Sequence, residues 1–190
     1  MSHQEITRNN CQEKPNEGIA GGKDSDFISK DQVKPLVSVI VVNWNGLKHI
    51  DECLKSLLDQ IYSPIEIILV DNCSEDGSVE FVRQNFSSVK IIMNGGNMGF
   101  AAAMNRGIIS ASGELIASLN QNTVADKNWL SKLVEVILSS EDIAGASGKI
   151  YYLDNKDSIY CTWVKINPFT AIPYSFHGLE GTSSVDYLIG

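Results

Sequence analysis

The stretch that decides the fold is residues 36–46, LVSVIVVNWNG, where an apolar run ends in a short polar turn. A nearly unbroken run of β-branched residues over 36–42 is typical of a strand that is covered on both faces of a sheet. After the turn, apolar residues recur at three- and four-residue spacing, which predicts an amphipathic helix. These residues are Ile50, Cys53, Leu54, Leu57, Leu58 and Ile61. A buried strand followed by such a helix is the repeating unit of a parallel α/β sheet.

The same alternation continues along the chain to about residue 152. We predict further strands over 65–70, 89–93, 114–119 and 144–152. We predict further helices over 78–86, about 100–111, and a segment that Asp126 caps and that carries Trp129, Leu130, Leu133, Val134 and Ile137. This order predicts an α/β fold, a three-layer α/β/α sandwich with a mostly parallel central sheet.

The chain of 190 residues is long enough for one domain with a sizeable core. Residues 1–34 are polar, with few large apolar side chains, which predicts a disordered leader before a globular domain over 35–190. The aromatic residues that follow 152 show no period, and we interpret them as cover for the sheet edge, with a sugar-stacking platform as the alternative. The apolar run that ends at Gly190 is followed by no helix, so we expect the domain to be truncated at its C-terminus.

The charge balance narrows the class of ligand. The formal net charge is −8, with 15 Lys and Arg against 23 Asp and Glu and no basic cluster, which argues against nucleic-acid binding. An anionic ligand would therefore need a divalent cation, helix N-termini or a few placed basic groups. Four cysteines without a CxxC pair indicate reduced structural thiols. Because no stretch approaches the ~20 apolar residues of a membrane span, we expect a soluble, cytoplasmic domain.

A second polar segment follows a predicted strand at residues 70–78, VDNCSEDGS. In open α/β sheets, ligands bind beyond the carboxyl ends of the strands, so Asp71 and Asp76 are candidates for gripping a base, a ribose or a metal. The alternative is helix capping by Asp, Asn and Ser. The glycine-rich turn over 94–99 matches neither GxGxxG nor a P-loop, and it serves either close ligand approach or local turn geometry. No GxSxG nucleophile elbow is present.

Several separated segments together resemble family 2 glycosyltransferases of the rhamnosyltransferase-like branch. They are VSVIVVNWNG over 37–46, VDNCSEDGS over 70–78, NMGFA over 97–101 with NRG over 105–107, and LNQNT over 119–123. The resemblance covers about 35–190 and matches in order and spacing. It implies the A-type glycosyltransferase fold, in which a nucleotide-binding α/β half precedes an acceptor-binding half.

The resemblance also implies a site for a nucleotide-diphospho-sugar donor. The turn over 43–45 and the carboxylate of Asp71 would hold the base and ribose, and Asn97, Gly99, Asn105 and Arg106 would line the diphosphate-sugar side. The full set of implied donor-binding residues is Asn43, Trp44, Asn45, Asp71, Asn72, Ser74, Asp76, Asn97, Gly99, Asn105, Arg106, Asn120 and Gln121.

The family's cation motif is altered in this chain. By similarity, the motif after the fourth strand would carry Mg²⁺ or Mn²⁺ bridging the diphosphate, and it usually ends in Asp. Here it reads Asn120-Gln121-Asn122, so the metal position is the uncharged amide of Asn122. Hard divalent ions are usually held by one or two carboxylates. Asp126 would either compensate or cap the following helix.

The implied reaction transfers a sugar, rhamnose-like or another hexose, to a glycan or lipid-linked acceptor with inversion, for cell-surface polysaccharide synthesis. The acceptor's base would be a carboxylate of the acceptor half, which we expect beyond Gly190, so no catalytic residue is assigned and Asp186 is given no such role. A lipid-linked acceptor allows peripheral association of the full-length protein with the inner face of the membrane. The alternative, favoured by Asn122 and the missing base, is a non-catalytic or truncated domain that binds a nucleotide.

Overall fold

The computed structural model describes residues 4–8, 33–153, 159–161, 163–166 and 173–176, with side chains over 33–153. In chain order, the strands are β1 (Gln4–Arg8), β2 (Val37–Asn43), β3 (Ile65–Asp71), β4 (Lys90–Met93), β5 (Leu115–Asn120), β6 (Gly145–Ala146), β7 (Ile150–Tyr151), β8 (Ile159–Cys161), β9 (Trp163–Ile166) and β10 (Pro173–Phe176). The helices are α1 (Leu47–Leu58), α2 (Ser78–Asn85), α3 (Phe100–Ser110) and α4 (Trp129–Leu138).

The central sheet is six-stranded, in the order β4-β3-β2-β5-β1-β6. Strand β2 lies in its middle and pairs in parallel with β3 and with β5, and β3 pairs in parallel with β4. The register sets Asn43 opposite Asp71 and Val42 opposite Asn120. The carboxyl ends of these strands therefore meet at one edge of the sheet, and the prediction of a mostly parallel sheet is confirmed.

Helices cover the central sheet on both faces. Alternate residues of β2 point to opposite sides, so that Val39 and Val41 join a core with α1, α2 and α4, whereas Ile40 packs towards α3. Helix α3 approaches the sheet closely, since a Cβ on Gly107 would lie 2.5 Å from Cγ2 of Ile40. The chain is thus the three-layer α/β/α sandwich that the sequence predicts.

Part of the predicted disordered leader over 1–34 forms a strand in the structure. Residues Gln4–Arg8 form β1, which pairs antiparallel with β5 and with β6. Pairing with β5 and β6 uses backbone N–H and C=O groups rather than apolar side chains, so composition does not detect such a strand. Most of the remaining leader lies outside the described residues.

The predicted strand over 144–152 is also corrected. The structure contains two short strands there, β6 and β7, separated by an unpaired segment that contains Gly148. Glycine within a strand weakens it, which accounts for the break. Beyond it, β7 pairs with β8 and β9 with β10.

The sequence-based expectations for the last part of the chain fall outside what the structure describes. The aromatic side chains after 152 lie beyond the described side chains, and Asp186 and Gly190 lie beyond the described residues altogether. Truncation of the domain at Gly190, and an acceptor base located beyond it, therefore stay predictions.

Within the ranges that the structure describes, no helix combines the length and the apolar character that crossing a bilayer requires.

Candidate functional site

An open cleft of ≈ 440 Å³ lies at the edge where β2, β3 and β5 end. This volume falls within the range of small-molecule sites. Its position beyond the carboxyl ends of parallel strands is the one at which open α/β sheets bind ligands. The lining residues are uncharged: Val42, Trp44, Asn72, Asn97, Gly99, Phe100, Asn120, Gln121 and Asn122.

A buried hydrogen-bond network lies beside this cleft and joins the ends of β2 and β3. Asn43 Nδ2 donates to Oδ1 of Asp71 over 2.7 Å and lies 2.8 Å from the Ser78 hydroxyl. The Asp71 carboxylate also accepts the backbone N–H of Ser74 over 2.9 Å and the Ser74 hydroxyl. Because Asp71 is fully buried and bonded in this way, its carboxylate orders the loop over 73–78.

The same loop is tied to the turn that follows β2. The backbone N–H of Asn45 donates to the Ser74 hydroxyl over 2.9 Å, and the N–H of Leu47 donates to Oδ2 of Asp76 over 2.7 Å. Partial burial acts to raise the pKa of Asp76, but hydrogen bonds from Ser78 and Leu47 outweigh it and hold the pKa below its usual range. Asp76 therefore acts as an anionic acceptor that stabilises the start of α1.

A second chain of hydrogen bonds runs behind the glycine-rich loop. Asn94 Nδ2 donates to Oδ1 of Asn72 over 2.6 Å, and Arg106 Nη1 donates to Oδ1 of Asn94. Asn72 Nδ2 also donates to the carbonyl of Gly99 over 3.2 Å. The loop between β4 and α3 is thereby fixed at the cleft by Asn72, with Asn94 and Arg106 behind it.

The segment after β5 supplies amides to the cleft. Oε1 of Gln121 accepts the backbone N–H of Trp44 over 2.8 Å, and Nε2 of Gln121 donates to the Trp44 carbonyl over 3.1 Å. Asn122 is exposed at the cleft, and Asn120, the last residue of β5, is half-buried there. Trp44 and Phe100 add aromatic surface.

The side chains present at the cleft do not by themselves fit a divalent cation. The lining carries amides and no carboxylate, and the part of the chain that the structure describes contains no group of three or more His, Cys, Asp or Glu side chains placed to hold a metal. Asp126 accepts the backbone N–H of Asn128 over 2.8 Å at the start of α4 and does not line the cleft. The predicted capping of α4 by Asp126 is wrong, because the N-cap is Asn128, which makes no side-chain capping bond, and the Asp126 carboxylate bonds to Asn128 in the turn before the helix. Cation binding at Asn122 stays a prediction.

The implied donor-binding residues divide into two groups in the structure. The cleft itself is lined by Trp44, Asn72, Asn97, Gly99, Asn120 and Gln121, together with Asn122. The adjoining networks or helix α3 contain Asn43, Asn45, Asp71, Ser74, Asp76, Asn105 and Arg106. Their contact with a donor stays a prediction.

Sequence reasoning missed several residues that shape the site, among them Val42 in the cleft lining. Phe100 lines the cleft, and Asn94 joins Asn72 to Arg106. Asn94 directly follows β4, so the rule that selects polar residues at strand ends would have found it. Phe100 directly follows the candidate Gly99, and this position in the sequence could have identified it as a site residue.

The described thiols are not placed for nucleophilic chemistry. Burial raises the pKa of Cys53 to about 12, so its thiol stays protonated. Cys73 is exposed in the loop after β3 and is not a cleft-lining residue. The site therefore offers hydrogen-bonding amides and aromatic surface rather than an attacking side chain.

The model of the family described as "Glycosyl transferase family 2" matches residues 38–180 of this chain. The chain belongs to glycosyltransferase family 2. The matched residues include β2 from its second residue, β3 and β5, and all the cleft-lining segments. Membership of the rhamnosyltransferase-like branch stays a prediction.

Curated relatives of this family 2 chain include the putative teichuronic acid biosynthesis glycosyltransferase TuaG of Bacillus subtilis. The two are 32% identical over 108 residues, which cover 55% of this chain and 43% of TuaG. The chain spans about two-fifths of the length of the curated relatives it matches.

Solved glycosyltransferases share the fold. S. aureus TarS 1-349 in complex with UDP-GlcNAc matches with a TM-score of 0.51 and 27% identity over 55% of this chain and 32% of that chain. The mannosyltransferase PcManGT from Pyrobaculum calidifontis, in complex with GDP-Man and Mn²⁺, matches with a TM-score of 0.53 and 24% identity. That match covers 60% of this chain and 36% of that one and shows the fold alone. The expected A-type glycosyltransferase fold agrees with these neighbours.

Proposed function

We propose that this chain is the donor-binding portion of a glycosyltransferase that uses a nucleotide-diphospho-sugar. The observation that carries the proposal is the convergence of separated segments on one cleft: the turn after β2, Asn72 after β3, the loop before α3 and the segment after β5. The UDP-GlcNAc complex of TarS, which shares the fold, supports the ligand class.

The cleft suits the parts of such a donor. Trp44 and Phe100 offer flat apolar faces for a base or a sugar ring. The exposed amides of Asn97 and Asn122 present donors and acceptors for ribose and sugar hydroxyls, whereas Asn72 is buried and bonded within the loops. The diphosphate would lie towards the start of α3, where Gly99 and Phe100 line the cleft and the helix dipole is positive.

In the proposed reaction, the acceptor hydroxyl oxygen attacks the anomeric carbon as the bond from that carbon to the diphosphate oxygen breaks. Configuration inverts, the nucleoside diphosphate leaves with the bonding electron pair, and the hydroxyl proton passes to a carboxylate of the acceptor half. Residues of this chain bind and orient the donor and stabilise the charge of the leaving group.

The acceptor class is a further part of the proposal. TuaG is named for teichuronic acid biosynthesis, which supports a role in making cell-surface polysaccharide. We propose a glycan or lipid-linked acceptor and a hexose donor, rhamnose-like in the branch that the sequence resembles. A lipid-linked acceptor would bring the full-length protein to the inner face of the membrane from the cytoplasm.

Calorimetric titration of the chain with UDP, dTDP and GDP tests the proposal. We expect one of them to bind and Trp44→Ala to weaken that binding by about tenfold, because a stacking face is lost. Tyr151→Ala, which removes an exposed aromatic residue that does not line the cleft, is the matched control. Absence of binding by all three nucleotides at about 1 mM would overturn the proposal.

A second candidate function is a non-catalytic relative that keeps the fold for nucleotide binding. The amide of Asn122, at the position where the family's motif usually has a carboxylate, favours it. The two functions are separated by incubating the full-length protein with a nucleotide-sugar donor and measuring the release of sugar. Nucleotide binding without any release or transfer would favour the binding domain.

A further inference from the structure

The side chain of Gln121 pairs with the backbone of Trp44 through two hydrogen bonds that point in opposite directions. The N–H of Trp44 donates to Oε1 over 2.8 Å, and Nε2 donates to the carbonyl of Trp44 over 3.1 Å. The register of β2 and β5 ends at Val42 and Asn120. The primary amide of Gln121 therefore continues the pairing of these strands beyond their last backbone pair. We call this contact the Gln121 clip.

The sequence of the turn leaves room for the clip. A Cβ on Gly46 would lie 2.3 Å from Oδ1 of Asn43, and 2.7 Å and 2.8 Å from Oε1 and Cδ of Gln121, closer than side chains normally approach. The residue between Trp44 and Gly46, Asn45, has a positive φ of 49°, which turns the chain sharply after Trp44. A side chain at position 46 would push the Gln121 amide away from the Trp44 backbone.

The clip holds the side of the turn that faces β5. On the side that faces β3, the N–H of Asn45 and the N–H of Leu47 are bonded to Ser74 and Asp76 over 2.9 Å and 2.7 Å. Trp44, by contrast, is 53% exposed as a residue, so packing contributes less to the position of its indole at the cleft. The backbone on which the indole stands is therefore fixed by hydrogen bonds from two neighbouring strand ends.

We propose that Gln121 is a positioning residue that sets Trp44 in its place at the cleft before the donor binds. This inference rests on the proposed function for its ligand. A turn that is already ordered loses less conformational freedom on binding, so the clip increases donor affinity without the Gln121 amide having to bind the donor. It also commits both polar atoms of Gln121 to the Trp44 backbone.

The test compares Gln121→Met with Gln60→Met. Methionine keeps the length and flexibility of glutamine and removes both hydrogen bonds. Gln60 is the matched control, since its side chain also bridges backbone groups, at Ser56, Asp126 and Leu130, and it does not line the cleft. The probe is whichever of UDP, dTDP and GDP binds the unchanged protein most tightly.

Two measurements are made on each variant. Without nucleotide, backbone hydrogen exchange at Trp44 should become about fivefold faster in Gln121→Met, which corresponds to the loss of one hydrogen bond, and should not change in Gln60→Met. With nucleotide, Gln121→Met should bind about three- to tenfold more weakly, and Gln60→Met should bind as the unchanged protein does. Gln121→Ala, which leaves no long side chain, should behave as Gln121→Met does.

Equal nucleotide affinity in Gln121→Met and the unchanged protein would overturn the inference, as would unchanged exchange at Trp44. An equal loss of nucleotide affinity in Gln60→Met would show that lower general stability causes the loss, and it would also overturn the inference. Failure of the proposed function looks different, because the unchanged protein would then bind none of the nucleotides while the exchange measurement still reports on the clip.

Discussion

Asn43 donates a 2.7 Å hydrogen bond from its side-chain amide to the carboxylate of Asp71, and both residues are fully buried. They are the last residues of β2 and β3 and lie opposite each other in the parallel register. The pair joins two strand ends at the edge of the cleft, and the Ser74 N–H and hydroxyl bind the same carboxylate. The loop that follows β3 therefore depends on an interior contact rather than on surface packing.

We expect Asp71→Asn to lower the free energy of unfolding by about 1–3 kcal/mol. One carboxylate oxygen becomes an NH₂ group, which cannot accept from Asn43 or Ser74, so buried donors lose their partner. Urea denaturation followed by circular dichroism measures the change. Asp59→Asn, at an exposed carboxylate after α1, is the matched control, and an equal loss in both variants would contradict the structural role of Asp71.

The sequence was sufficient for most of the sheet and its helices because the signals there are local. The β-branched run of β2 and the three- and four-residue spacing of α1 depend on how each segment buries its own apolar side chains. Strand β1 was missed, because it is stabilised by backbone pairing with β5 rather than by composition. Local pattern carries no information about such pairing.

The sequence predicts where the candidate site lies, but it predicts few of the hydrogen-bond contacts within it. Strand-end positions identify Trp44, Asn72 and Asn120 without knowledge of the structure. The burial of Asp71 and the Gln121 clip were not predictable in this way. Each depends on which atoms of two distant segments face each other, and this follows from register and from the geometry of the turns.

The contacts of Arg106 with Asn94 predict an energetic coupling between the two. Arg106→Met and Asn94→Ala should each lower the free energy of unfolding, and the double variant should lose less than the sum by about 0.5–3 kcal/mol, since both remove the same contact. Lys132→Met removes an equal charge from α4, where Lys132 pairs only with the exposed Glu135 among the described ion pairs, and it should be additive with Asn94→Ala. Additive losses for Arg106 and Asn94 would contradict a shared contact.

The raised pKa of Cys53 predicts thiol reactivity that differs between folded and unfolded protein. A thiol with a pKa of about 12 forms little thiolate at pH 8, whereas unfolding exposes the thiol and returns its pKa to the ordinary value of 9.0. In a background of Cys11→Ser and Cys161→Ser, we expect a disulfide reagent at pH 8 to modify Cys73 in the native state and Cys53 only after denaturation. Rapid native modification of Cys53, located by mass spectrometry, would contradict its burial.

The amide at Asn122 predicts how donor affinity responds to divalent cations. Since the described cleft residues carry no carboxylate, we expect the affinity for the bound nucleoside diphosphate to change less than about threefold between EDTA and Mn²⁺. Asn122→Asp should weaken binding in EDTA through repulsion of the diphosphate and strengthen it by about tenfold when Mn²⁺ is added, because a carboxylate then supplies a hard, charged ligand.

Asn97→Asp adds the same charge to the lining at another segment, so it should weaken binding in EDTA with a smaller recovery in Mn²⁺. Calorimetry measures the affinities, and the electron paramagnetic resonance signal of free Mn²⁺ reports cation uptake separately from nucleotide binding. Strong dependence of the unchanged protein on Mn²⁺, or equal responses of the two variants, would contradict the assignment of Asn122 as the position that limits cation binding.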